Sequence, residues 1–275
     1  MTESSGYTHP AVAGSGVIAC GLAACATALG DVRLLARSDS SAWRAEERAQ
    51  AECSKVEGGH PQRIRVTTHL DDLSDSDLVI EAVIEDPDVK ATVLGELGRI
   101  CPRADLASTT SSLSVGELAT RSGHAGRVFG LHVFNPVHRM ELVELCFPNG
   151  VQDSLRDRAR AWCGALGKTP IEVPDQPGFV ANRLLFPYLF DAVRLLERTG
   201  MEPGDVDACM HLGAGHPMGP LRLLDFIGLD VAAAIGESLW ADTGEERYRA
   251  PGLIEELIDQ GKLGRKSGAG FYAYE

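Results

Sequence analysis

The sequence predicts an α/β protein in which a doubly wound, mostly parallel sheet is followed by an all-α domain. In the first part of the chain, short apolar runs alternate with helical patterns, which is typical of a parallel sheet with helices on both faces. The expected strands are residues 32–36, 78–84, 106–109 and 128–134, and the expected helices are residues 20–29, 89–100 and 115–121. In the second part, apolar residues recur at helical spacing.

Only helices are expected after a change of composition at residues 174–178 (PDQPG). The longest helix should cover residues 179–198, and the others residues 201–212, 220–229, 231–240 and 252–260. One face of the longest helix carries an apolar stripe, made of Leu184, Leu185, Tyr188, Leu189, Ala192 and Leu195. We therefore expect two domains, residues 1–176 and residues 177–275.

Composition and charge argue against several classes of protein. Hydrophobic residues make up 44% of the 275 residues and charged residues 24%, as in globular proteins with a buried core. The formal net charge of −13 disfavours nucleic acid as a partner. No apolar run approaches the roughly 20 residues that span a bilayer. Scattered cysteines without a CxxC pair predict free thiols and no metal site. Residues 1–6 (MTESSG) do not resemble a signal peptide, so we expect a cytoplasmic protein.

A glycine-rich loop opens the first helical pattern. Residues 14–19 (GSGVIA) fit the GxGxx(G/A) pattern and follow a short apolar segment. The glycines allow a tight turn, and the N-terminus of the following helix can bind a pyrophosphate. This context predicts a Rossmann dinucleotide-binding domain, although a purely structural turn can have the same composition. The residues expected to contact the cofactor here are Gly14, Ser15, Gly16, Val17 and Ile18.

The residues after the second strand indicate which dinucleotide binds. NAD-binding domains place a carboxylate there for the ribose 2′-hydroxyl. In this chain Arg37 and Ser38 occupy that position. A guanidinium next to a hydroxyl suits a 2′-phosphate, so we expect NADP(H). The alternative is NAD, with Arg37 as a solvated surface residue and Asp39 as the ribose ligand.

A histidine and a glutamate twelve residues apart form the candidate catalytic pair. His132 ends an apolar run and is soon followed by an Asn-Pro turn, and Glu144 lies within the next apolar run. A histidine held and polarised by a carboxylate is the kind of base that proton transfer at neutral pH requires. The alternatives are a structural polar residue for His132 and a surface acid for Glu144.

Several segments together resemble the short-chain L-3-hydroxyacyl-CoA dehydrogenase (3-hydroxybutyryl-CoA dehydrogenase) family. The segment at residues 130–144, which contains the histidine and the glutamate, is the first of them. The others are residues 81–90 (EAVIEDPDVK), 108–113 (STTSSL), 177–183 (PGFVANR), 213–220 (GAGHPMGP) and 263–272 (LGRKSGAGFY). The resemblance covers nearly the whole chain and implies a Rossmann domain followed by a helical domain that forms a homodimer. A two-fold interface that buries the apolar stripe is consistent with that.

The resemblance also implies roles for matching residues. His132 would be the general base, and Glu144 would hold its imidazole in one tautomer. Ser111 and Asn182 would bind the reacting oxygen of the substrate. For Ser111 the alternative is a shift of the role to a neighbouring hydroxyl residue, and for Asn182 it is helix capping.

Three further matching residues would line the cofactor. They are Glu85, Lys90 and Lys266. For Lys90 the alternative is a solvated helix face.

The implied activity is the interconversion of a 3-hydroxyacyl thioester and a 3-ketoacyl thioester by hydride transfer with a nicotinamide cofactor. The family usually has a longer segment after the second strand, which supplies contacts to the CoA nucleotide. This chain has only residues 39–62 there, so the acyl carrier is open between CoA and an acyl carrier protein. Arg44, Arg48 and Lys55 are phosphate contacts or a solvated helix face. A gulonate-like dehydrogenase of a free hydroxyacid or sugar acid is the alternative function, followed by a non-catalytic dinucleotide sensor.

Overall fold

A computed structural model describes residues 6–274, which form two compact units. The first unit ends at Gln176 and the second begins at Pro177. Residues 1–5, which contribute to the expectation that a signal peptide is lacking, lie outside the described residues. Between residues 6 and 274, no helix is both long enough and apolar enough to cross a membrane.

Within residues 6–176, eight strands form one sheet in the order β3-β2-β1-β4-β5-β6-β7-β8. The strands are β1 (Pro10–Ala13), β2 (Val32–Leu35), β3 (Ile64–Thr67), β4 (Leu78–Glu81), β5 (Asp105–Ser108), β6 (Val128–Val133), β7 (Leu142–Cys146) and β8 (Thr169–Val173). All neighbours are parallel except β6 and β7, which pair antiparallel. With the helical second unit, this arrangement confirms the predicted fold class.

The helices of the first unit connect these strands. They are α1 (Val17–Ala26), α2 (Asp39–Cys53), α3 (Pro87–Ile100), α4 (Val115–Arg121) and α5 (Asp153–Ala165). Alanines and other small residues are buried along α1, and α2 buries Ala45, Ala49 and Cys53 at four-residue spacing. These faces pack into a core with the apolar residues of the strands.

Five adjacent strands reach the same edge of the sheet in register. Leu35 pairs with Ala13, Ala13 with Glu81, Glu81 with Ser108, and Ser108 with Gly130. In a parallel sheet, the loops that follow such strands leave from one edge, where ligands bind in open α/β folds. The predicted cofactor and catalytic segments of the first unit therefore meet at this edge.

The sequence prediction placed some boundaries wrongly and missed several elements. It extended β4 to residue 84, but the strand ends at Glu81, whose own carboxylate accepts a hydrogen bond from Val83 N at 2.7 Å. The predicted elements did not include α2, α5, β3, β7 and β8. Strand β8 lies at the edge of the sheet and contains Pro170, which weakens its strand signal.

The second unit is helical over its described residues. Its helices are α6 (Ala181–Thr199), α7 (Pro203–Ala208), α8 (Pro220–Ile227), α9 (Leu229–Thr243) and α10 (Gly252–Asp259). The helix expected at residues 201–212 is shorter, because a π-helical turn (Cys209–Gly213) follows α7.

The predicted stripe on α6 is only partly correct. Leu184 is 72% exposed and faces away from the core. The core face is instead formed by Phe186, Leu189, Phe190, Val193 and Leu196.

Candidate active site

His132 and Glu144 are direct cross-strand partners on β6 and β7. His132 Nδ1 lies 2.7 Å from Glu144 Oε2, and their side chains are only 7% and 2% exposed. Directly opposed residues of an antiparallel pair point to the same face of a sheet, which explains why the two side chains meet. When Nδ1 donates its proton to the carboxylate, Nε2 carries the basic lone pair. The pair can therefore take up a proton and stabilise the resulting imidazolium.

Ser111 lies in the loop after β5, and Glu85 organises this loop. Oε1 of Glu85 accepts hydrogen bonds from the backbone N–H groups of Ser111 (2.8 Å) and Ser112 (3.0 Å). It also accepts from the hydroxyls of Thr110 (2.7 Å) and Ser112 (2.9 Å), whereas the Ser111 hydroxyl lies at 3.3 Å. Ser111 is half-buried and Ser112 is buried. Of the two serines, Ser111 is therefore the more accessible to a substrate.

Lys90, which is buried, forms ion pairs with Glu81 and with Glu85, the residue that holds this loop. Lys90 Nζ lies 2.9 Å from Glu81 Oε1 and 3.2 Å from Glu85 Oε2. Lys90 is 1% exposed and Glu81 is fully buried, so Lys90 is not on a solvated helix face. The other oxygen of Glu81 accepts from the Ser108 hydroxyl at 2.6 Å. A buried pair of this kind is costly to break, because the remaining charge would be uncompensated.

The same network keeps Glu85 ionised. Burial raises the pKa of Glu85, but the charge of Lys90 and the hydrogen bonds from the 110–112 segment outweigh it. The net effect is a pKa below the usual value of a glutamate. The carboxylate is therefore a stable acceptor for the loop that carries Ser111.

The two glycines of the loop after β1 differ in the space around them. Gly14 has no room for a side chain, whereas Gly16 faces open space. Gly14 adopts a φ of +148°, and a Cβ there would lie 2.3 Å from the carbonyl oxygen of Ala82. Gly16 precedes α1, and a Cβ there would meet nothing within 4 Å. No side chain caps α1 at Gly16, so a phosphate can approach the backbone N–H groups of Val17 and Ile18.

Arg37 and Ser38 follow β2, the strand that neighbours β1 in the sheet, and so lie near the glycine loop. The backbone N–H of Gly14 donates to Leu35 O at 2.9 Å, which joins the two segments. Arg37 is exposed, and within residues 6–274 its guanidinium has no hydrogen-bond or ion-pair partner. Ser38 caps α2 by accepting from Ser41 N at 3.3 Å. Asp39 is only weakly engaged, since the hydroxyl of Thr68 lies 3.4 Å from it.

Two predicted site residues belong to the second unit. Asn182 is buried in the first turn of α6, but Val180 is the capping position, so Asn182 does not cap this helix. Lys266 Nζ lies 2.5 Å and 2.7 Å from the two carboxylate oxygens of Asp230. Their roles towards the substrate and the cofactor remain predictions.

Comparison with known proteins identifies the family. The model described as "3-hydroxyacyl-CoA dehydrogenase, NAD binding domain" matches residues 9–176, and "3-hydroxyacyl-CoA dehydrogenase, C-terminal domain" matches residues 178–274. The chain belongs to the 3-hydroxyacyl-CoA dehydrogenase family. The resemblance seen in the sequence is therefore confirmed.

Individual relatives support this assignment. A probable 3-hydroxybutyryl-CoA dehydrogenase of Deinococcus radiodurans is 44% identical over 213 residues, or 77% of each chain. The crystal structure of FadB2 of M. tuberculosis has a TM-score of 0.92 and 36% identity, over 98% of this chain and 99% of that one. The (S)-3-hydroxybutyryl-CoA dehydrogenase PaaH1 of Ralstonia eutropha has a TM-score of 0.90 and 35% identity, over the same shares.

Sequence reasoning missed several residues that shape the site of this 3-hydroxyacyl-CoA dehydrogenase family member. Glu81 and Ser108 belong to two of the family-like segments, but they were not predicted as site residues. A carboxylate at the end of a wholly buried strand is the signal that could have identified Glu81. Lys168 was also missed. Its Nζ donates to the carbonyl oxygens of Val137 (2.5 Å) and Met140 (2.8 Å), which stabilises the connection between His132 and Glu144.

Proposed function

We propose that this protein interconverts 3-hydroxyacyl and 3-ketoacyl thioesters by hydride transfer with a nicotinamide dinucleotide. The observation that carries the proposal is the buried His132–Glu144 pair, which lies on β6 and β7 of a sheet whose β1 is followed by the glycine loop. A dinucleotide fits the described residues, because Gly16 and the uncapped N-terminus of α1 leave open space for a pyrophosphate. When bound, the dinucleotide would supply or accept the hydride that is transferred to or from carbon 3 of the acyl chain.

The proton follows a separate route from the hydride. In the oxidative direction, His132 Nε2 removes the proton of the 3-hydroxyl group. Glu144, 2.7 Å from Nδ1, stabilises the imidazolium that forms. In the reductive direction, the imidazolium returns this proton to the oxygen at carbon 3.

Other residues of the proposal bind and orient the ligands. Ser111 donates a hydrogen bond to the reacting oxygen, and Asn182 is a second contact for that oxygen. Glu85, Lys90 and Lys266 line the cofactor. The role of Ser111 is supported by Glu85, because the hydrogen bond from Ser111 N to Glu85 fixes the backbone at Ser111.

The preferred dinucleotide in this proposal is NADP(H). Its support is the exposed guanidinium of Arg37 after β2, without a partner among residues 6–274, at the place where NAD-binding domains have a carboxylate. The matched family model is described as NAD binding, so this preference rests on Arg37 and Ser38 of this chain.

The acyl carrier in this proposal is CoA or an acyl carrier protein. The names of the relatives indicate CoA for those proteins. In this chain, only helix α2 and a 3₁₀ turn (Pro61–Arg63) occupy the space between β2 and β3. An activity assay with both carriers is therefore part of the test.

The proposal extends to the assembly and the location of the protein. A homodimer through the second unit is supported by exposed apolar side chains there, which include Leu184 (72%) and Leu212 (81%). A monomer in sedimentation analysis would contradict it.

A cytoplasmic location is supported by the seven cysteines, which are all free thiols.

Turnover of matched thioesters tests the function. Acetoacetyl-CoA and the corresponding carrier-protein thioester should oxidise NADPH, or more slowly NADH, in an assay that follows the absorbance of the reduced dinucleotide. The His132→Ala variant is the control for non-enzymatic reduction. Absence of turnover with both carriers and both dinucleotides would contradict the proposal, and turnover of free keto acids alone would favour the gulonate-like alternative.

A further inference from the structure

Arg48 of α2 contacts the glycine loop from outside. Its Nη1 donates to the carbonyl oxygen of Ser15 at 3.2 Å, across a separation of 33 residues. Ser15 stands between the two glycines of the loop, directly before the N-terminus of α1. The guanidinium of Arg48 is thus held beside the segment to which a dinucleotide pyrophosphate binds in this type of fold.

Glu46 and Glu47 lie between Arg44 and Arg48 in the sequence, but within residues 6–274 no ion pair joins either arginine to a carboxylate. Arg44 lies one turn before Arg48, and its guanidinium has no partner among residues 6–274. Glu52 is engaged elsewhere, with Lys55 at 2.7 Å and His138 at 3.3 Å. Like charges four residues apart on a helix are mutually unfavourable. Arg48, which has no carboxylate partner within residues 6–274 and lies beside the uncapped N-terminus of α1, is therefore available to an anion from outside the protein.

The guanidinium of Arg48 has further N–H donors that can bind a ligand. Arginine carries five N–H groups, and the bond to Ser15 uses one of them. That bond reduces the freedom of a long exposed side chain before any ligand binds. A preoriented guanidinium is well suited to a phosphate, which accepts charge-assisted hydrogen bonds.

We propose that Arg48 binds a phosphate group of the dinucleotide, with the Ser15 carbonyl as its anchor. The inference rests on the dinucleotide-binding part of the proposed function and adds a specific contact to it. The phosphate is either the pyrophosphate, which NAD(H) and NADP(H) share, or the 2′-phosphate, which only NADP(H) has.

Direct binding measurements distinguish contact with the pyrophosphate from contact with the 2′-phosphate. Dissociation constants for NADH and NADPH would be measured by fluorescence titration with the full chain and with Arg48→Met, Arg48→Lys and Arg44→Met. Arg44→Met is the matched control, because it removes the same charge one turn away but does not alter the contact with Ser15. Adenosine, which has no phosphate, would be measured as a competitor.

We expect Arg48→Met to weaken dinucleotide binding by about tenfold, as for the loss of one charged hydrogen bond. Binding of adenosine should be unchanged, Arg48→Lys should recover part of the affinity, and Arg44→Met should have a smaller effect. An equal loss for NADH and NADPH would assign the pyrophosphate, and a loss for NADPH alone the 2′-phosphate.

The proposal would be overturned if Arg48→Met bound both dinucleotides as the unmodified chain does. It would also be overturned if the loss were the same in Arg44→Met, or if adenosine binding fell in parallel. Because binding is measured without thioester, a chain that binds dinucleotide but reduces no thioester would contradict the proposed activity and leave the Arg48 contact intact.

Discussion

His132 Nδ1 and Glu144 Oε2 are 2.7 Å apart on two paired strands, and both side chains are almost completely buried. The antiparallel pairing of β6 and β7 alone brings them opposite each other. Replacement of either residue therefore removes a chemical group without removing an element of the fold.

The first prediction concerns this pair. His132→Ala should lower kcat by roughly 10²- to 10⁴-fold, the range for loss of a general base. Glu144→Gln should lower kcat less, because the imidazole remains but its charged form loses a carboxylate. Steady-state kinetics with acetoacetyl-CoA measure both effects. Dinucleotide affinity is the control and should stay the same, and an unchanged kcat in His132→Ala would rule it out as the base.

The second prediction separates two neighbouring serines. Ser111→Ala should lower kcat/KM by about tenfold, because one hydrogen bond to the reacting oxygen is lost, while thermal stability is retained. Ser112 is buried with its hydroxyl 2.9 Å from Glu85, so Ser112→Ala should mainly lower the melting temperature. Kinetics and thermal unfolding of both variants provide the test. The opposite pattern would transfer the substrate contact from Ser111 to Ser112.

The third prediction uses two glycines of one loop. Gly14→Ala should destabilise the fold, because the new Cβ would lie 2.3 Å from Ala82 O and the φ of +148° is unfavourable for alanine. Gly16 has an ordinary φ of −79° and open space around it, so Gly16→Ala should fold normally. Its added methyl group should nevertheless weaken dinucleotide binding. Thermal unfolding and fluorescence titration distinguish the two effects, and undiminished affinity in Gly16→Ala would argue against a pyrophosphate at this position.

The fourth prediction concerns pH and Glu85. Folding lowers the pKa of Glu85 below its usual value of about 4.5, mainly through Lys90 and the hydrogen bonds of the 110–112 segment, against the effect of burial. Its carboxylate therefore stabilises the fold fully above pH 4.5, and this contribution is lost as the pH falls below 4.5.

Urea unfolding at several pH values between 7 and 3 measures this contribution. Glu85→Gln should be less stable than the unmodified chain at neutral pH, and the difference should narrow below pH 4.5. Glu117→Gln, at an exposed position of α4, is the matched control and should follow the unmodified chain. If the stability difference between Glu85→Gln and the unmodified chain were the same at all pH values, the charge of Glu85 would not be the source of its stabilising effect.

The fifth prediction concerns the choice of dinucleotide. Arg37→Asp should raise the KM for NADPH by at least about tenfold, because a carboxylate repels a 2′-phosphate and instead accepts from a ribose hydroxyl. The KM for NADH should fall or stay the same. Turnover of one thioester with each dinucleotide measures the change. A preference for NADH in the unmodified chain would contradict the interpretation of Arg37.

Local patterns in the sequence were sufficient to predict the fold class and the family. Alternation of strands and helices, the GSGVIA loop and the spacing of His132 and Glu144 are all encoded over short stretches. The boundaries were less predictable where side chains end an element. Glu81 is an example, since it looks like part of a longer apolar run until its carboxylate is seen to bind Val83 N.

The sequence by itself determined which chemical groups the protein carries, because a catalytic pair and a phosphate-binding loop each depend on residues close together in the chain. Only the tertiary structure decided which distant residues support them. Glu81 meets Ser108 across 27 residues, and Arg48 meets Ser15 across 33. These contacts depend on the order of strands in the sheet, where β4 lies between β1 and β5, and on the packing of α2 against α1. Such an order follows from the burial of whole strands and helices against one another, so no short pattern in the sequence records it.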